Sequence, residues 1–340
     1  MEKEMKLILS YVALVVCASY AHADVAGLQI TEVFMPHHEA PSRVAIWYPS
    51  TSQEPPSLYA NNPVFQGVEA YRDAPLSPGK HPVVLFSHGM GGTDRAQAWL
   101  ASSLAQRGVI TVSANHANST WGDFDISQGV AHWTRAQDIS AALDALTDMP
   151  AFSGHLDMSR VMAAGFSYGG WTALSLGGAT GNHAGIVDAC MTYTGMEACE
   201  LLLSDEVNRQ GLDPAVWNAS YADNRVTHVA AIDPGFVWGL EQSDIANLVP
   251  ATLVIGFGGD GDRMLATDFD RSGFSALLGD RRIERFDPAY HFSAMPVCEE
   301  AGEAILAEAD DDPVCTDPEG SDRKAIHASI IGMIAEELDL

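Results

Sequence analysis

The sequence predicts an α/β protein, with a mostly parallel, doubly wound sheet carrying helices on both faces. Three observations predict it. Short apolar runs of strand length alternate with longer runs of helical spacing through most of the 340 residues. Several of these runs, Val83–Phe86 above all, are continuous in their apolarity, as in strands covered on both faces. Loops rich in glycine or asparagine follow the runs, at the edge where such sheets bind ligands.

Taken in order, Val44–Tyr48 reads as an early strand. Residues 49–82, rich in proline and polar side chains, read as an irregular connection. Val83–Ser87 is a buried strand. Asp94–Arg107 has helical spacing, with a cap expected at Thr93 or Asp94 and a stop at Gly108. Val109–Val112 is the next strand and leads into the loop Ala114–Asn118. Trp133–Leu146 is a long helix. Arg160–Phe166 is a strand, followed by the helical run Trp171–Leu176. Val226–Ile232, Thr252–Ile255 and Arg282–Phe286 complete the strands, and Lys324–Glu337 closes the chain as a helix. Residues 177–225 break the alternation. They read as an insertion over the ligand-binding edge, either a lid or ordinary packing.

Two loops carry chemistry. The first is Gly165-Phe166-Ser167-Tyr168-Gly169-Gly170, set between a strand and a helix. In that context a G-x-S-x-G turn pushes the serine hydroxyl out of the backbone, at a helix N-terminus whose dipole favours developing negative charge. The second is His88-Gly89-Met90-Gly91-Gly92, directly after the buried strand Val83–Ser87. Its glycines let backbone approach a substrate closely.

With these residues in place the chain resembles the α/β-hydrolase superfamily. More narrowly it resembles the branch of platelet-activating-factor acetylhydrolases and bacterial dienelactone-hydrolase-like proteins. Phe86–Gly92, Gly165–Gly170, Ala231-Ile232-Asp233-Pro234-Gly235, His291-Phe292-Ser293 and Cys315-Thr316-Asp317-Pro318 carry the resemblance, which extends from about residue 28. It implies that Ser167 is a nucleophile and that the backbone N–H groups of Met90 and Tyr168 form an oxyanion hole.

A serine hydroxyl needs a base, and chain order on this fold is serine, acid, histidine. His291, in the loop after the last strand, is the expected base. His327 falls within the final helix and is expected to face solvent, while His88 and His116 precede the serine and read as loop-structuring hydrogen-bonders. The acid is Asp233, which ends one strand, or Asp260, which follows the next. Asp233 is preferred because Asp-Pro at that strand end resembles the acetylhydrolases, and Asp262 is a third choice.

The first 23 residues read as a signal peptide. Lys3 and Lys6 precede a short apolar core, and Ala21-His22-Ala23 fits a cleavage site that leaves one domain over 24–340. Of five cysteines, Cys17 falls in the signal. The remaining four suggest two disulfides, 190–199 and 298–315 being the simplest pairing. The formal charge of −27 argues against nucleic acid and anionic membrane surfaces as partners. No apolar run after the signal approaches the ~20 residues of a membrane-spanning helix, so stable insertion is not expected.

The expected function is exported serine hydrolysis of a small-molecule or lipid carboxylic ester, with no cofactor and no metal. Asp260, Asp262 and Asp310–Asp312 lack the spacing of a calcium loop, and the cysteines lack that of a zinc site. Two alternatives stand beside it. Gly-x-Ser-Tyr-Gly-Gly also occurs in prolyl-oligopeptidase relatives, although this chain is too short for their propeller. A non-catalytic scaffold used for binding is the other, although such scaffolds usually lose the serine or histidine. Trp121, Trp171 and Trp238 are candidates either for an apolar acyl pocket or for core packing.

Overall fold

A computed structural model describes residues 25–193, 195–197, 199–259 and 264–340. The signal expected over 1–23, and the alternative acids Asp260 and Asp262, lie outside the described residues.

The strands are β1 (Ala26–Met35), β2 (Ala40–Tyr48), β3 (Ser57–Tyr59), β4 (Val68–Arg72), β5 (His81–Ser87), β6 (Ile110–Ala114), β7 (Ser119–Thr120), β8 (Asp123–Phe124), β9 (Leu156–Phe166), β10 (His228–Ile232), β11 (Thr252–Phe257) and β12 (Arg282–Phe286). Ten of them form one sheet in the order β12-β11-β10-β9-β5-β6-β2-β1-β4-β3, and β7 pairs with β8 in a small hairpin. From β6 to β12 every neighbouring pair is parallel; β2 joins β6 antiparallel and β1 joins β2 antiparallel. The strands predicted from apolar runs are all present. The proline-rich stretch 49–82 is less irregular than expected. It contributes β3 and β4, because β4 pairs with β1 and so gains partners that no local pattern announces.

The main helices are α1 (Ala98–Gln106), α2 (Ile126–Gly129), α3 (His132–Asp148), α4 (Tyr168–Leu176), α5 (His183–Thr192), α6 (Cys199–Leu202), α7 (Asp205–Gln210), α8 (Pro214–Trp217), α9 (Phe274–Leu277), α10 (Gly302–Glu308) and α11 (Arg323–Glu337). Successive side chains of the central strands point to opposite faces. Val83, Leu85, Ala163 and Ala231 therefore meet α3 and α4, through Ile139, Leu143 and Leu174. Val84, Phe86, Ala164 and Ile232 meet α1 and α11, through Leu100, Leu104, Ile330 and Ile334. A continuous apolar strand such as β5 needs both cores to bury its side chains.

The cap expected for α1 does not form. Gln97, not Thr93 or Asp94, stands at its N-terminus and makes no side-chain cap. Asp94 is drawn away into a buried cluster, where it accepts from Arg43 at 3.1 Å and from the Tyr59 hydroxyl at 2.6 Å. Residues 177–225 hold α5 to α8. Ile186, Met196, Val207 and Trp217 are buried in the same core as α3 and α4, so this segment is packed into the body of the fold. The Cys190–Cys199 bridge joins α5 to α6, and Cys298–Cys315 closes the loop around α10.

Candidate active site

Ser167 sits between β9 and α4 with φ 57° and ψ −118°, a backbone conformation that L side chains rarely adopt. The turn is held on several sides. The Ser167 N–H donates to the Ile232 carbonyl at 2.9 Å, and the Ser167 carbonyl accepts from Gly170 and Gly235. The flanking glycines are required by close approach. A Cβ on Gly165 would lie 2.0 Å from the Gly169 carbonyl oxygen, and one on Gly169 would lie 1.9 Å from that of Ser87.

His291 begins a short 3-10 turn after β12. The Ser167 hydroxyl lies 3.0 Å from His291 Nε2, and His291 Nδ1 lies 2.6 Å from Asp233 Oδ2. The network assigns the proton to Nδ1, which donates to the carboxylate and leaves Nε2 to accept from the serine. Asp233 is fully buried just past the end of β10. Its other contacts are donors too: the Phe257 N–H reaches Oδ1 at 3.1 Å, and the Thr267 hydroxyl reaches Oδ2 at 2.8 Å. Ser167, His291 and Asp233, the preferred residues from sequence, are thus brought together in one line. Thr267 was not among the sequence candidates. It lies in a short 3-10 turn with no motif around it.

The histidine is supported from behind. Ser293, two residues on, donates from Oγ to Asp317 at 2.7 Å, and Asp317 is paired with Arg323 at 2.8 Å. Asp317 lies two residues from Cys315, so the second disulfide tethers the loop that carries this support. The motif Cys315-Thr316-Asp317-Pro318 gains a physical role in this way.

The loop His88–Gly92 lies against the serine. A Cβ on Gly89 would fall 3.3 Å from that of Ser167. Among the described residues, neither the Met90 N–H nor the Tyr168 N–H donates a hydrogen bond. Tyr168 is the first residue of α4, where helix geometry leaves the N–H without an internal partner.

Beneath the loop lies an arginine that sequence reading missed. Arg135, fully buried on α3, donates to the His88 carbonyl, to Ser119 Oγ at 2.6 Å and to Ser87 Oγ at 3.2 Å. Burial lowers its pKa to about 10, which leaves it charged at neutral pH. In sequence it is one more charge on a helix; only the tertiary position buries it.

His116 is also buried there, between Ser87 Oγ at 2.8 Å and Asp138 Oδ2 at 2.8 Å. The pattern is again serine, histidine, aspartate, but Ser87 is 1 % exposed and meets no substrate. Burial, with Arg135 nearby, lowers the His116 pKa to about 4, and burial likewise holds His88 well below the usual histidine range. Both act as the hydrogen-bonding loop residues expected. His327 departs from expectation. It is 6 % exposed, stacks on Trp99 with ring centroids 3.6 Å apart, and binds the Ser293 carbonyl at 3.0 Å. Its helix face turns inward onto α1, which residue spacing at the chain end did not indicate. Trp171 and Trp238 are buried in the core, and the Trp238 indole donates to the Leu265 carbonyl at 2.8 Å; Trp121 is 80 % exposed.

The sheet order, the flanking helices and the strand-turn-helix at Ser167 are those of the α/β-hydrolase fold. Residues 30–122 match the family described as platelet-activating factor acetylhydrolase, isoform II, a stretch that includes His88–Gly92 and ends before Ser167. The fold is similar to that of a ferulic acid esterase from Streptomyces cinnamoneus (TM-score 0.56, 16 % identity, covering 95 % of this chain and 91 % of that one). A dienelactone hydrolase from Anabaena variabilis also matches (TM-score 0.44, 17 % identity, 84 % of this chain and 95 % of that one). No curated protein sequence matches the chain. The family match covers residues 30–122, and the similarity to the esterase extends over nearly the whole fold.

Proposed function

We propose that the protein is an exported serine hydrolase that cleaves small-molecule or lipid carboxylic esters through an acyl-enzyme. One observation carries the reading: two consecutive hydrogen bonds run from Ser167 through His291 to Asp233, at 3.0 and 2.6 Å.

In this mechanism His291 Nε2 takes the serine proton as Oγ attacks the acyl carbon. Asp233 holds the imidazole by Nδ1 and stabilises the imidazolium that forms. Negative charge gathers on the former carbonyl oxygen. The N–H groups of Met90 and Tyr168, neither of which has a partner among the described residues, are the donors that receive it. The imidazolium then protonates the leaving alcohol. Water, deprotonated by His291, attacks the acyl-enzyme, and as the second intermediate collapses the imidazolium returns that proton to Ser167 Oγ, freeing the acid and the serine. No step calls on a cofactor or metal. Two disulfides, and a basic-then-apolar N-terminus before Ala21-His22-Ala23, support export.

A panel of chromogenic esters from acetate to long acyl chains tests the reading. The wild-type protein turns over at least one of them and Ser167→Ala none. Failure of the folded wild-type protein on every ester would overturn it.

A further inference from the structure

We infer that His37, His38 and Asp138 form a binding site for a divalent transition metal of the zinc class, apart from Ser167. The site joins the tight turn between β1 and β2 to the first half of α3. His37 Nε2 lies 2.9 Å from Asp138 Oδ1, and His38 Nε2 lies 3.3 Å from the same oxygen. The three ligand atoms all fall within 4.8 Å of one another. Ligand atoms about 3.3 Å apart are what a tetrahedral ion with bonds near 2.0–2.1 Å requires, so small side-chain adjustments admit the ion.

Hydrogen bonding alone accounts poorly for this arrangement. Both imidazole nitrogens aim at one carboxylate oxygen. His37 Nε2 can donate to it, but His38 Nε2, shut off from water, makes no hydrogen bond in this position. A bound cation would give the unpartnered His38 nitrogen a partner, with both imidazoles offering lone pairs and the carboxylate its charge. Two imidazoles and a carboxylate suit zinc and its neighbours better than calcium or magnesium.

The surroundings are those of a ligand set. The second oxygen of Asp138 is held by His116 Nδ1 at 2.8 Å, and His116 is fixed in turn by Ser87. Such outer contacts orient a ligating carboxylate. Beside the cluster is an open cleft of ≈ 370 Å³, lined by His38, Arg43, His116, Trp121 and Asp123 among others. It leaves room for a fourth ligand, water or a small anion, on the solvent side. The strong acidity of the whole chain favours cation entry. Bound metal would pin the β1–β2 turn to α3.

The full-length mature chain, stripped with a chelator, tests this by titration with zinc against a chromogenic competitor, and with cobalt(II) followed by its visible spectrum. One equivalent should bind, tetrahedral cobalt bands should appear, and the thermal midpoint should rise. His37 is exposed and His38 half-buried in a short turn, so the double change His37→Ala/His38→Ala should keep the fold, as judged by circular dichroism. It should weaken zinc binding by at least roughly 100-fold and abolish the cobalt bands. Absence of stoichiometric binding by the wild-type protein would overturn the inference, as would equal affinity in the double variant. The test reads binding and stability alone, so its outcome is independent of the ester reading.

Discussion

Arg135 Cζ lies 4.4 Å from the ring centroid of Tyr168, and the same guanidinium donates to the His88 carbonyl. One buried cation therefore touches both segments from which the proposed oxyanion donors come. It packs on the side chain of one donor residue and holds the loop that carries the other. Arg135→Lys keeps a charge but loses the planar fork. The variant should be less stable by about 2–4 kcal/mol, because buried acceptors lose their partners. Its kcat should fall ~10–100-fold while KM changes little, as expected when only the transition state loses its donors. Loss of stability with kcat intact would restrict Arg135 to a structural role.

Asp233 should be the orienting acid. Asp233→Asn is expected to lower kcat on the order of 10⁴-fold, the scale of that change in a serine protease triad, with KM nearly unchanged. Thr267→Val removes one donor from the same carboxylate oxygen. It should cost roughly 10-fold in kcat, the equivalent of about one hydrogen bond. Steady-state kinetics of the two variants check this, and a mild effect of Asp233→Asn would assign the role elsewhere.

Gly169→Ala should fail to fold. The added Cβ would lie 1.9 Å from the Ser87 carbonyl oxygen and 2.8 Å from that of His88, and both are backbone atoms. The site has no flexible side chain that can yield. A loss above about 4 kcal/mol is expected, read as insoluble protein or an early denaturant midpoint.

Acid should destabilise the protein through its buried neutral histidines. Burial lowers the pKa of His132 to about 4 and of His327 to about 4, against 6.5 for free histidine. The unfolded chain therefore binds more protons than the folded one between these values. The stabilisation is complete above pH 6.5, is lost as pH falls through that window, and changes no further below pH 4. Each histidine contributes on the order of 2–3 kcal/mol across it. His327→Phe keeps a ring on Trp99 and removes the titration. Its stability relative to wild type should improve steadily from pH 6.5 to pH 4.5 in denaturant melts. A constant difference across that range would contradict the assignment.

The parts of this molecule legible in sequence are those with local signatures. β5 announces itself by unbroken apolarity. The β9–α4 turn is visible because its glycines sit where no Cβ fits, and His291 and Asp233 because each follows a strand at the carboxyl edge. What was missed is set by distant chain. β4 is a strand through pairing with β1. Asp94 resembles a helix cap until Arg43 and Tyr59 take it. His327 resembles a surface residue until Trp99 covers it. Arg135 and Thr267 support the site without any motif, since their roles arise only when α3 and the segment after β11 pack beneath it.

The central claim is that Ser167 is the nucleophile, and a fluorophosphonate probe tests it most directly. Peptide mapping by mass spectrometry should find a single adduct on Ser167 in the wild-type protein and none in Ser167→Ala, whose ester turnover should fall by roughly 10⁵–10⁶-fold with the fold intact. An adduct on a different serine, or wild-type turnover in the alanine variant, would contradict the account.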